Sequence, residues 1–83
     1  MSKDSKVIVF SKAGCGQCFG AKMFLKQHNI PFEEIDIEAS DENRKNFDQY
    51  GFDSLPVIVS PVIEPFSGFR PSNLQEIKEG MIS

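Results

Sequence analysis

Eighty-three residues make one small domain with one core, and 40% hydrophobic against 25% charged residues is ordinary for a soluble globular chain. Nine Lys and Arg against twelve Asp and Glu leave a net charge of -3, which argues against a general nucleic-acid or anionic-membrane binder, since either needs a basic patch. The first six residues are polar and the apolar run behind them is far too short for a leader or a membrane span, so a cytoplasmic location is expected. In a reducing compartment two cysteines make a poor structural staple, and reversible chemistry is expected of them.

No repeat, linker or low-complexity segment interrupts the chain, which reads as a single domain over 1–83, compact from about Lys6 to Ile82. Residues 6–10 are apolar on both faces and predict a central strand covered on both sides. The segment Phe10-Ser-Lys-Ala-Gly-Cys-Gly-Gln-Cys-Phe19 follows and holds both cysteines, Cys15 and Cys18. A helix over about 16–28 places Cys15 at its N-terminus, where unpaired backbone N–H groups and the helix dipole favour an anion such as a thiolate. Cys18, at i+3, lies on the same face and can reach back to close a disulfide, which is the geometry of a dithiol redox centre. Cys18, Ala21 and Leu25 form one stripe of that helix, Phe19 and Met23 a neighbouring one, and Lys22 and Lys26 face water. Asn29 suits a left-handed terminator and Pro31 blocks continuation.

Residues 33–37 alternate, with Ile35 and Ile37 one way and Glu34 and Asp36 the other, which predicts a half-exposed strand near a sheet edge. Ser40 is the expected N-cap of a second helix, with Asp41 and Glu42 in its first turn, Phe47 and Tyr50 as anchors and Gly51 past its end. A loop over 52–56 leads into a short buried strand over 57–59. Residues 62–66 predict its partner, at an edge because Pro61 and Pro65 cannot donate to a ladder. Ser67-Gly68 reads as a turn, and Ser72 with Gln75 as the capping box of a last helix carrying Leu74 and Ile77, with Gly80 near its end. The order is β-α-β-α-β-β-α.

A CxxC that opens a helix after a strand in such a context reads as a thioredoxin-like redox motif. The order of elements and the length resemble the glutaredoxin branch of the thioredoxin superfamily, which implies an α/β thioredoxin-like fold, a four-stranded mixed sheet flanked by three helices. Ser54-Leu55-Pro56-Val57 is similar to the loop in which that superfamily places a cis-proline facing the cysteines. Phe66-Ser-Gly-Phe-Arg-Pro71 resembles the W-S-G-F-R-P signature of NrdH-type redoxins, and C-G-Q-C resembles their C-V-Q-C or C-M-Q-C. This chain departs from the pattern in having Gly16 for a bulkier residue, Phe66 for Trp, which removes the indole N–H, and Ser72 for Asp, which still supplies an N-cap.

The resemblance implies roles. Cys15 would be the nucleophile, forming a mixed disulfide with a partner, and Cys18, more buried, would resolve it. Lys12 would add positive potential near the thiolate, and Gly16 and Gln17 would lie against the partner. Leu55 and Pro56 would offer a backbone edge to an extended peptide, with Ser67, Gly68 and Phe69 as the opposite wall, Gly68 allowing close approach, and Arg70 beside it as a contact for a partner or a substrate carboxylate. The protein would be a monomeric dithiol carrier with no bound cofactor beyond its redox-active disulfide. It would donate to the large subunit of class Ib ribonucleotide reductase and be recharged by thioredoxin reductase from NADPH. Bulky Phe69 and Arg70 stand where a glutaredoxin has small or acidic residues, so weak glutathione binding is expected.

Competing readings remain at this point. Zinc takes about four ligands, and His28, the only histidine, has no ligand spacing to the pair; it reads as a helix-end residue suited to the dipole. Lys12 reads equally as a solvated lysine, Arg70 as either a partner contact or a brace of its own turn, and the acidic run 36–42 as a solvated face and cap. The aromatics are mostly core, and any of Phe19, Phe52, Phe66 or Phe69 exposed near Cys15 marks a docking surface. A glutathione-dependent glutaredoxin, an iron–sulfur carrier and a general disulfide reductase are the functional alternatives.

Overall fold

The computed structural model describes residues 6–82; the polar start of the chain lies largely outside them. Strand β1, Val7–Ser11, is the centre of the molecule. It pairs parallel with β2, Phe32–Asp36, on one side and antiparallel with β3, Val57–Val59, on the other. A two-residue strand β4, Phe66–Ser67, pairs antiparallel with β3 and completes a mixed sheet of order β2-β1-β3-β4. Because successive side chains of β1 point to opposite faces, the strand feeds two cores. Val7 and Val9 pack with Ala21 and Leu25 of α1, Gly16–Gln27, and with Leu74 and Ile77 of α3, Pro71–Ile82. Phe10 packs on the other face with Phe47 of α2, Asp41–Asp48, and with Ile37 and Val57. The sheet therefore lies between two helices and one, and the thioredoxin-like architecture expected from the element order is present. Among the described residues no helix is long and apolar enough to cross a membrane.

Local chemistry sets the helix ends. At the end of α1, Asn29 takes φ 57°, its N–H bonds to Lys26 O at 3.1 Å and the next N–H, of Ile30, to Leu25 O at 2.9 Å. This is a Schellman closure, and it drops Ile30 into the core beside Leu25. Ser40 caps α2 as its position predicts, its hydroxyl accepting from Asn43 N at 3.1 Å. Gly51 follows with φ 77°, a backbone conformation that favours glycine.

Three elements differ from expectation. The edge strand β2 runs one residue earlier than 33–37, because its register against β1 begins at Val7↔Phe32. Residues 62–65 do not extend the partner strand: the Ser60 hydroxyl accepts from Ile63 N at 3.3 Å and folds the chain into a turn, leaving only Phe66 and Ser67 for the ladder. Ser67 is therefore strand, and the bend starts at Gly68. Ser72 does not cap α3; Pro71 takes the first helical position, which tolerates the missing N–H, and Leu74 N bonds back to Arg70 O at 3.0 Å. Gly80 lies near the end of α3, as expected. The helix continues through it, and Val62 lies where a Cβ on Gly80 would be.

Candidate functional site

The hydrophobic stripe of α1 fixes the depth of the two sulfurs. Cys18 shares that stripe with Ala21 and Leu25 and is 2% exposed. Cys15, one turn earlier, is the N-cap residue and is half-buried. The two are joined as a disulfide with their Cα atoms 5.2 Å apart. Cys15 Sγ accepts from Cys18 N at 3.2 Å, so a helix-end N–H already points at this sulfur. In the dithiol form that N–H and the dipole would stabilise a Cys15 thiolate. The arrangement can do thiol–disulfide exchange, with one reachable sulfur and one held beneath it.

Cys15 lies on the ridge between two hollows. One, of about 470 Å³, is lined by Lys12, Cys15, Cys18, Phe19, Lys22, Glu34 and Asp36 among others. The other, of about 300 Å³, runs past Lys12 and Cys15 to Arg44, Phe47, Asp53, Ser54 and Leu55. Lys12 is exposed and borders both; its carbonyl accepts from Cys15 N at 3.4 Å. Gly16 is exposed with open space about it, and Gln17 is exposed with its side-chain oxygen accepting from Phe69 N at 3.1 Å.

The two distant stretches singled out in the sequence meet beside the cysteines. The Leu55–Pro56 bond is cis, Pro56 is buried and Leu55 half-buried. Pro56 O accepts from Gly68 N at 2.8 Å, and the Ser54 and Ser67 hydroxyls are 3.2 Å apart. Gly68 takes φ 91°, so a side chain at this bend would be strained. Arg70 Nε donates to Ser67 O at 3.1 Å, which braces its own turn through the backbone. The aromatics divide as follows: Phe66 is buried, Phe52 half-buried, and Phe19 and Phe69 are 61% and 41% exposed near the pair.

One cluster escaped the sequence. Lys22 does not simply face water: its ammonium bonds Glu34 Oε2 at 2.7 Å, and the buried Ser11 hydroxyl donates to the same oxygen at 2.6 Å. The Lys22 hydrogen bond, then that of Ser11, holds the Glu34 carboxyl below its ordinary value of 4.5, against the opposing effect of burial. The signal was present in part, since alternation aims Glu34 at the face that α1 covers and Lys22 stands one turn beyond Cys18. Among the described residues no cluster of three or more His, Cys, Asp or Glu is placed to hold a metal.

Comparison with known proteins agrees with this geometry. The glutaredoxin family model matches residues 7–61. The glutaredoxin-like protein NrdH of Lactococcus lactis subsp. lactis is 41% identical over 71 residues, which cover 86% of this chain and 97% of that one. The solved structure of the glutaredoxin-like NrdH-redoxin of Escherichia coli superposes with a TM-score of 0.76 at 26% identity, over 84% of this chain and 91% of that chain. A glutaredoxin crystal structure from Archaeoglobus fulgidus gives a TM-score of 0.74 at 25% identity, over 88% and 85%.

Proposed function

We propose that this chain, which belongs to the glutaredoxin family as an NrdH-type thiol–disulfide redox protein, is a dithiol carrier that reduces protein disulfides, with class Ib ribonucleotide reductase as its client and thioredoxin reductase as its source of electrons. Cys15 attacks one sulfur of the client disulfide as a thiolate; that S–S bond breaks, a Cys15–client mixed disulfide forms and the displaced client thiolate takes a proton. Cys18 loses its proton and attacks Cys15 Sγ. The second client thiol leaves, and two electrons have passed from the carrier to the client. NADPH, through thioredoxin reductase, then returns the Cys15–Cys18 disulfide to the dithiol.

The observation that carries this reading is the depth of the pair: Cys15 is reachable on a ridge and Cys18 is held under it, 2% exposed, beside the Leu55–Pro56 edge. An extended client strand would pair with the main chain at Leu55. Recharging by thioredoxin reductase rather than glutathione is favoured because Phe69 stands exposed on the opposite wall and Arg70 is folded back onto Ser67. The E. coli relative is described as glutaredoxin-like with a thioredoxin-like activity profile, which supports the same choice. A cytoplasmic, monomeric protein fits this role.

The test follows NADPH consumption with a disulfide substrate under two recharging systems, thioredoxin reductase alone or glutathione with glutathione reductase. Fast turnover only with thioredoxin reductase is the expected result. Fast turnover only with glutathione would make the protein a glutathione-dependent glutaredoxin instead. Cys18→Ser should accumulate the mixed disulfide with the client, visible on a non-reducing gel, whereas Cys15→Ser should not.

A further inference from the structure

Two features of α1 have no part in the exchange chemistry. Gln17 places its side-chain oxygen 3.1 Å from Phe69 N, a hydrogen bond that spans 52 positions of the chain. Gly20, one turn further along, is a glycine inside a helix, where it costs about 1 kcal/mol relative to alanine. Its backbone faces the Phe69 ring, which comes within 3.6 Å of where a Cβ would be. At i and i+3 the two residues share one face of α1, so Phe69 is held there twice, by its main chain and by its ring. Gly68, the residue before it, is tied by its own N–H to Pro56 O at 2.8 Å and lies 3.9 Å, from its Cβ position, from the same Gln17 oxygen. Both N–H groups at the head of this wall are thus occupied within the protein. They leave main-chain pairing with a client to the Leu55 side.

We infer that Gln17 is a positioning residue: its side-chain oxygen tethers the Gly68–Phe69 bend to the first turn of α1, so that the cysteine pair and the wall of the client groove move as one body. The inference rests on the client-groove reading above and deepens it. Without the tether the bend keeps Gly68 N–Pro56 O, Arg70 Nε–Ser67 O and the Phe69 ring against Gly20, so it persists but is registered to the cysteines less firmly. A client would have to order it on binding, which raises KM and leaves the exchange step itself little changed.

The experiment compares Gln17→Met, which keeps the length and removes the acceptor, with Gln17→Glu, which keeps an acceptor oxygen. The Phe69 amide is followed by hydrogen exchange, and reduction of insulin disulfides by the dithiothreitol-charged protein gives KM and kcat. Gln17→Met should speed Phe69 exchange and raise the KM for insulin, each by about three- to ten-fold, the range open to one hydrogen bond, with kcat within about two-fold. Gln17→Glu should return exchange and KM towards wild type. Unchanged Phe69 exchange in Gln17→Met would overturn the tether, and faster exchange with no rise in KM would overturn its role in docking. If the wild type fails to reduce insulin at all, the carrier reading falls, and the exchange comparison still decides whether the tether exists.

Discussion

Gly80 provides a sharp test of the packing, because helix propensity and local contact predict opposite signs for one substitution. Replacing glycine by alanine inside a helix stabilises by up to about 1 kcal/mol, less in a last turn such as this one. The structure opposes that gain: a Cβ on Gly80 would stand 2.8 Å from Val62 Cγ1 and 2.9 Å from Val62 Cβ. Val62 Cβ cannot swing aside as the tip of a long side chain can, so the turn over 60–63 must move, at the cost of about 1–3 kcal/mol typical of overpacking. Gly80→Ala should therefore destabilise by about 1 kcal/mol, and lower Tm by roughly 4–8 °C per kcal/mol in a domain of this size. Val62 is 39% exposed, so Val62→Ala alone should cost less than a core truncation. In the double variant the clash is gone and the propensity gain survives, so Gly80→Ala should stabilise the Val62→Ala background by up to about 1 kcal/mol. Urea unfolding of the four proteins closes the cycle. A Gly80→Ala protein more stable than wild type would show that Val62 does not occupy this space and that Gly80 is a mere terminator.

The Ser11–Glu34–Lys22 cluster should appear in the pH dependence of stability. Glu34 is held below 4.5 in the folded chain, so its contribution is present above that value and is lost as pH falls through the folded pKa. Both Lys22 and Glu34 are partly exposed, at 25% and 41%, so Glu34→Gln should cost only about 0.5 kcal/mol near neutral pH. The difference from wild type should shrink as pH falls through the folded pKa and vanish once Glu34 is protonated; a difference that grows on acidification would refute the assignment. Ser40→Ala removes the bond from Asn43 N and should cost about 1 kcal/mol by thermal unfolding, with no change if the cap is frayed in solution.

The readable parts of the chain were those governed by short-range rules. The Cys18, Ala21 and Leu25 stripe, the Asn29 closure and the Ser40 cap each depend on residues a few positions apart, and each stands where the sequence put it. The unreadable parts needed a neighbour from elsewhere. Ser72 fits a capping box by pattern, yet Pro71 before it already has the backbone angle of a first helical residue and displaces the start. Residues 62–66 look like a strand until the Ser60 hydroxyl claims Ile63 N. Glu34 looked like the solvent face of an edge strand. Its partner Ser11 becomes visible only once the register sets Val9 opposite Glu34, which makes Ser11 its diagonal neighbour. The Gln17–Phe69 bond, across 52 positions, left no local trace at all.

The convergence of three remote segments on one spot follows from strand direction. The parallel β1–β2 pair carries Ser11 and Asp36 to the same end of the sheet. Because β3 runs antiparallel to β1, with Phe10 opposite Val57, the start of β3 and therefore Pro56 lies at that end too. Antiparallel pairing of β4 with β3, with Val57 opposite Ser67, brings the end of β4 and the Gly68 bend to the same place. Cys15 leaves β1 there after a four-residue step, and Gly68 N finds Pro56 O because the ladder has already aligned them. A one-residue slip of β4 would turn Phe66 out of the core and carry Gly68 away from Pro56, so the burial of Phe66 and the placing of the Gly68 bend beside Pro56 are set by the same register. That coupling explains how so short a strand suffices: two residues of ladder are enough when a buried aromatic on one side and the tethered bend on the other both fix its place.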